Sequence, residues 1–209
     1  MMVKICGITR LEDAEAAVRQ GASAVGFVFW PGSPRAIDPF RARRIAAALP
    51  PFVTIVGVFV NQPADYVNAV ASLVGLGVVQ LHGDEGPAFA AEVRRPVVKA
   101  MTRVDEAGLA AWPARVMLLV DAHDPVRRGG TGEVADWAGA AVAARRRKIL
   151  LAGGLTPENV AEAVARVRPF GIDVSSGVES SPGVKDERRL AALFRALAPA
   201  EPAIRGSES

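Results

Sequence analysis

The chain has 209 residues, 50% of them hydrophobic and 22% charged, with a formal net charge of +3; this allows one domain with a sizeable core and excludes a disordered chain. One cysteine, Cys6, excludes an internal disulfide and every multi-cysteine metal motif, which fits a reducing compartment. No apolar run approaches the roughly 20 residues of a membrane span, and MMVKICGITR lacks a signal-peptide core, so a soluble cytoplasmic protein is expected.

Val3 to Arg10, VKICGITR, reads as a strand running into a loop. Alternation puts Lys4 and Cys6 on one side, with Cys6 at the carboxyl end of the strand, where α/β proteins keep their chemistry. A thiol with a free pKa of about 8.5 becomes a base or nucleophile at neutral pH only if something lowers that pKa. The Lys4 ammonium is the nearest means; the alternative for Cys6 is a buried small hydrophobe. A helix is expected over Thr9 to Gln20, capped by Thr9 and stopped by Gly21. Ala24 to Phe29 is a continuous apolar run, the pattern of a strand buried on both faces. Pro31 to Pro39 is a loop, and Asp38 caps a helix reaching about Leu49.

The alternation continues with a strand at Thr54 to Val60, a helix from Pro63 to Leu73, a strand at Val78 to His82 and a short helix from Gly86 to Val93. A fifth strand, Pro96 to Met101, precedes a weak helix between Asp105 and Ala111. Val116 to Asp121 is the sixth strand, and Ala122 to Ala135 the longest connection, which marks it as a functional loop. Asp136 to Ala144 reads as a helix and Ile149 to Ala152 as the seventh strand. Thr156 and Pro157 open a helix as N-cap and first helical residue. Ile172 to Ser175 is the eighth strand, Asp186 to Ala198 an amphipathic helix, and Pro199 to Ser209 a frayed tail. The basic residues Arg41, Arg43, Arg44 and Arg145 to Lys148 fall in separate helices and read as solvated helix ends, so no nucleic-acid partner is expected.

Eight such units, with strands read as buried on both faces, close most naturally into a parallel (β/α)₈ TIM barrel, one domain over 1–198. A doubly wound open sheet is the alternative. It would concentrate polar and glycine-rich residues at one switch point, whereas here they follow the strands around the chain.

Two glycine-bearing turns follow the last two strands, Gly153-Gly154 and Ser175-Ser176-Gly177. In barrels these positions bind phosphate through backbone N–H groups, so a small phosphorylated substrate is expected; ordinary turns are the alternative. Asp121 ends the sixth strand on the side of the barrel opposite Cys6. An acid and a thiol facing each other suit a reaction in which one donates a proton and the other removes one. The alternative for Asp121 is a loop cap. Asp173 shares a face with Ser175 and should meet Lys4 where the eighth strand adjoins the first, supporting Cys6. Arg35 is a candidate carboxylate clamp, against a solvated loop arginine. Gln80 and His82 are placed with the substrate-binding residues, although His82 also reads as an imidazole bonded to backbone. His123 has no assigned role.

VKICGIT, AVGFVF followed by Pro31, Ser33 and Arg35, VGVFVN, VQLHGDE, GGTG with Asp136-Trp137, LAGGLTPENV and DVSSGVESSPGVKD resemble, in order and over nearly the whole chain, the phosphoribosylanthranilate isomerase family. The resemblance implies a (β/α)₈ barrel of the tryptophan pathway, with Cys6 as general base, Asp121 as general acid and Arg35 holding the anthranilate carboxylate. It also implies phosphate on the two glycine turns. Implied too is an Amadori rearrangement of N-(5-phosphoribosyl)anthranilate to 1-(carboxyphenylamino)-1-deoxyribulose 5-phosphate, with no cofactor and no metal, in a monomer or homodimer. Val120 stands where the pattern has leucine and Ala135 where it has an aromatic. A histidine-pathway isomerase, which would carry aspartate in place of Cys6, and a non-catalytic phosphate-binding barrel are the alternatives.

Overall fold

Eight parallel strands pair in chain order and the eighth returns to the first, closing the sheet. They are β1 (Met2–Cys6), β2 (Ala24–Val28), β3 (Thr54–Phe59), β4 (Val78–Leu81), β5 (Val97–Met101), β6 (Met117–Asp121), β7 (Ile149–Ala152) and β8 (Gly171–Val174). Outside them lie α1 (Leu11–Gln20), α2 (Pro39–Ala48), α3 (Ala64–Val74), α4 (Pro87–Glu92), α5 (Glu106–Ala111), α6 (Trp137–Arg146), α7 (Val160–Val167) and α8 (Glu187–Leu197). The computed structural model describes residues 1–102, 105–121 and 137–198. The expectations for Ala122 to Ala135, His123, Asp136 and the tail from Pro199 lie outside the described residues.

Burial follows from this closure. The side chains between barrel and helices form the main core, including Phe27, Phe59, Leu118, Leu151 and Ile172. A smaller cluster of Val98, Ala100, Leu119, Leu150 and Ala152 forms a separate core. Burial on both faces is not uniform along every strand: β3 opens with exposed Thr54 and is buried only from Val56 onward. Phe29, Val60, His82 and Ser175 fall just beyond the strand ends rather than within strands.

Asp38 caps α2 as expected, its carboxylate accepting from the N–H groups of Phe40 and Arg41, and Gly21 ends α1 in the left-handed conformation. Thr9 does not cap α1. Its hydroxyl donates to the carbonyl of Gly183 at 2.6 Å, and α1 begins after Arg10 without a side-chain cap. Thr156 caps a turn, accepting from Glu158 N–H, and α7 proper starts at Val160. Unforeseen in the sequence is a 3₁₀ turn, Ser176–Val178, and a hairpin of β9 (Glu179–Ser181) and β10 (Val184–Lys185) between β8 and α8.

Arg147 corrects the reading of its basic run as a solvated helix end. Its guanidinium donates to the carbonyls of Leu109, Trp112, Pro113 and Val116, tying the α5 to β6 connection to the end of α6. Replacing it with methionine leaves those carbonyls without a charged donor, and Arg147→Met is expected to lower stability by about 2 to 3 kcal/mol. Urea unfolding checks this, with Arg147→Lys recovering only part of the loss because it lacks the planar fork.

Candidate active site

The β1 to β2 and β8 to β1 registers set Cys6 beside Gly26 and Lys4 beside Asp173. A Cβ on residue 26 would come within 2.9 Å of the Cys6 sulfur and 3.0 Å of Lys4 Cε, so glycine there leaves room for both side chains. Lys4 Nζ donates to both carboxylate oxygens of Asp173 at 2.9 Å, and both residues are buried. The expected pair is present. Burial alone would lower the Lys4 pKa, but Asp173 outweighs it and holds the ammonium above its usual range.

For the thiol the structure corrects the expectation. Burial pushes Cys6 up, Lys4 pulls it down and Asp173 pushes it up again, leaving it above the ordinary thiol range. Lys4 does act in the expected direction, but the cost of burying a thiolate outweighs it.

Arg35, in the loop after β2, is no solvated arginine. Its Nε donates to Glu179 Oε1 at 2.9 Å and its Nη2 to Oε2 at 2.6 Å. Gly7 stands under it with φ +73°, where a Cβ would lie 2.5 Å from Arg35 Cδ. Glu179 also accepts from Lys185 Nζ at 2.8 Å. Burial would raise the Glu179 carboxyl, but the bonds from Arg35 and Lys185 hold it below its usual range. Burial lowers the Lys185 ammonium despite Glu179. Sequence reading missed Glu179 and Lys185; opposite charges flanking Pro182-Gly183 were the available signal.

Asp121 ends β6, three strands from β1 by way of β8 and β7 rather than diametrically across. His82 Nε2 lies 3.6 Å from Asp121 Oδ2, and Gln80 Nε2 lies 2.9 Å from His82 Nδ1. The His82 ring therefore meets side chains, not backbone as the alternative reading had it. In the tautomer in which the Gln80 amide donates to Nδ1, the ring presents an Nε2–H toward Asp121. Gln80 Oε1 is buried and has no partner among the described residues.

Gly153 and Gly154 take φ of +90° and +62°, a left-handed pair that glycine adopts without strain. Ser175 donates to the carbonyl of Cys6 at 3.1 Å, linking the turn after β8 to the end of β1. Gly177 does not line the site: a Cβ there would meet the Leu155 carbonyl at 1.9 Å, so it lets the two turns pack together. All these elements open onto one cleft of about 590 Å³, lined by Cys6, Arg35, Gln80, His82, Asp121, Gly153, Gly154, Ser175 and Ser176. Val28, Val58, Val60 and Trp30 give it an apolar wall, and Trp30 is a third residue the sequence reading passed over. The volume suits a small molecule with a few oriented polar groups. Among the described residues no cluster of three or more His, Cys, Asp or Glu could hold a metal, and no helix is long and apolar enough to cross a membrane.

Residues 3–196 match the family model described as N-(5'phosphoribosyl)anthranilate (PRA) isomerase. An N-(5'-phosphoribosyl)anthranilate isomerase of Citrifermentans bemidjiense is 54% identical over 195 residues, 92% of this chain and 94% of that one. The crystal structure of phosphoribosyl anthranilate isomerase from Thermotoga maritima superposes with a TM-score of 0.86 at 45% identity, covering 94% of this chain and 98% of that one. Another, solved in complex with reduced 1-(o-carboxyphenylamino)-1-deoxyribulose 5-phosphate, gives a TM-score of 0.82 at 43% identity, over 94% and 97% of the two chains. The chain belongs to the N-(5'-phosphoribosyl)anthranilate isomerase family, the isomerases of tryptophan biosynthesis.

Proposed function

We propose that Cys6 and Asp121 divide between them the two proton transfers of the Amadori rearrangement that converts N-(5-phosphoribosyl)anthranilate to 1-(carboxyphenylamino)-1-deoxyribulose 5-phosphate. The observation that carries the reading is that this thiol and this carboxyl, from strands three apart, open onto one cleft together with Arg35 and the two glycine turns. Asp121 protonates the furanose ring oxygen. The C1′–O bond breaks and the anilino nitrogen lone pair forms a Schiff base. Cys6 as thiolate then takes the C2′ proton, and the electron pair left behind closes the C1′–C2′ double bond and neutralises the iminium. The resulting enolamine tautomerises to the ketone. The iminium is the electron sink, so what the chain must supply is placement and two protonation states.

The raised thiol pKa fits this order of events. A neutral thiol avoids leaving an anion in a buried site before substrate arrives. Ring opening then creates a cation beside the sulfur, which lowers the thiol pKa, and the thiol proton leaves to solvent through the cleft that Cys6 lines, so that the thiolate is present when a base is needed. On the other side, the Nε2–H of His82 points at Asp121 and stabilises the carboxylate left after proton donation, with Gln80 holding the ring.

The ends of the substrate go to the two anion sites. Arg35 takes the anthranilate carboxylate, the aryl ring lies along Val28 and Val58, and the phosphate goes to the backbone of Gly153-Gly154 and Ser175-Ser176. Gly177 supports that turn from behind. Residues 1–198 form the catalytic domain, working in the cytoplasm as a monomer or homodimer with this small phosphorylated molecule as partner and no cofactor.

Two measurements test the reading. Cys6→Ser and Asp121→Asn are each expected to lower kcat by at least about 10²-fold, the scale of a lost acid or base, followed by the decay of substrate fluorescence; unchanged turnover in either variant removes that residue from the mechanism. Alkylation of Cys6 by iodoacetamide, read by intact mass on the chain's only cysteine, should show a pH midpoint above the usual thiol value of about 8.5 in the free protein. Asp173→Asn should lower that midpoint, since the carboxylate raises the thiol and its loss turns Lys4 toward sulfur; a wild-type midpoint below the usual value would refute the order of steps.

A further inference from the structure

The chemistry above makes no use of Glu179 and Lys185, yet both are held with more bonds than their place at the two ends of a short hairpin would require. Glu179 receives two donors of the Arg35 guanidinium in a fork, the Lys185 ammonium, and the Gly183 N–H at 3.3 Å. The Lys185 ammonium also donates to the Ser175 carbonyl at 3.2 Å. The hairpin itself is anchored to the start of the chain: Thr9 donates to the Gly183 carbonyl, and Lys185 N–H donates to Asp13 at 3.0 Å. Asp13 is in turn gripped by Arg10. Glu179 is therefore a fixed carboxylate, its side chain 4% exposed, and it fixes Arg35.

Charge points the same way. Arg35 and Lys185 bring two positive charges and Glu179 one negative, while Lys4 and Asp173 cancel, so the group carries one cation in excess. Lys185 is sealed, with a side-chain exposure of 0%. Arg35, by contrast, lines the cleft, and Glu179 occupies only Nε and Nη2 of its five-donor fork. The excess charge is thus offered to the cleft through one guanidinium whose orientation is already set, which lowers the ordering cost of binding a carboxylate.

The geometry points to the β9–β10 hairpin as a selectivity brace: Glu179, locked by Lys185, is the positioning residue that makes Arg35 select substrates bearing a carboxylate on the aryl group. This rests on the assignment of Arg35 to the anthranilate carboxylate. The Glu179 pair touches no reacting atom, so its loss acts on recognition of the carboxylate, not on proton transfer.

The test compares kcat/KM for N-(5-phosphoribosyl)anthranilate with that for the aniline adduct of ribose 5-phosphate, which lacks the carboxylate. Because Glu179→Gln alone strands a buried ammonium, the informative variant is the double Glu179→Gln/Lys185→Met, run beside Arg35→Met. The double variant should raise KM for the anthranilate substrate about tenfold with kcat nearly unchanged, the mark of lost uniform binding, while the aniline adduct is processed as by wild type. If Arg35→Met leaves the ratio of the two substrates unchanged, the carboxylate assignment fails and the brace with it. If Arg35→Met collapses the ratio and the double variant does not, the assignment stands and the brace is overturned. An equal loss on both substrates in the double variant would mark the hairpin as merely structural and also overturn it.

Discussion

A lysine with its ammonium buried beside one carboxylate, at the seam where β8 meets β1, is the constraint on which the rest of the structure turns. Lys4 and Asp173 sit opposite each other only if the barrel closes in this register. A slip of either strand by one residue would send its charged side chain to the other face, into the layer between barrel and helices, and leave the partner behind. Leaving either charge alone in the interior costs about 3 to 5 kcal/mol, far more than the pair contributes when made. The pair therefore acts less as a source of stability than as a penalty on every other register. The register it enforces is the one that brings Cys6, two residues on, to the mouth.

The same pair sets the electrostatics of the thiol. A lysine without a partner would pull the sulfur toward thiolate; a lysine shared with Asp173 leaves burial in command, and the thiol stays above its usual range. The opposite end of the site is arranged differently, with Asp121 half-buried and facing an imidazole rather than an ammonium.

What the sequence disclosed of this arrangement was what period and position carry. Alternation placed Lys4 with Cys6, the adjacency of last and first strands placed Asp173 against Lys4, and the ends of strands located Asp121 and the glycine turns. The fold followed from eight repeats of one pattern. Hidden were contacts between loops, which have no period. Thr9 looks like an N-cap by residue type, and only the return of the chain at Gly183 takes its hydroxyl elsewhere. Arg35 and Glu179 are 144 positions apart, and the hairpin joining them has strands of three and two residues, too short for any pattern. Arg147 sits in a basic run that resembles an ordinary solvated helix end; its carbonyl partners are exposed by the way α5 stops short, which composition does not reveal.

A closed barrel also explains why the two proposed anion sites lie where they do. The turns after β7 and β8 and the loop after β2 flank β1 on its two sides, because β8 and β2 are its neighbours in the ring. In the proposed function, a substrate anchored at both is stretched over the end of β1 and so over Cys6. Asp121, reached through β7, comes at the stretched molecule from another side of the mouth. An open sheet could supply the same residue types, but its two edges would leave the first and last strands apart. Closure makes the first strand central, and that is how Cys6, the only cysteine of the chain, stands between the two proposed anion sites.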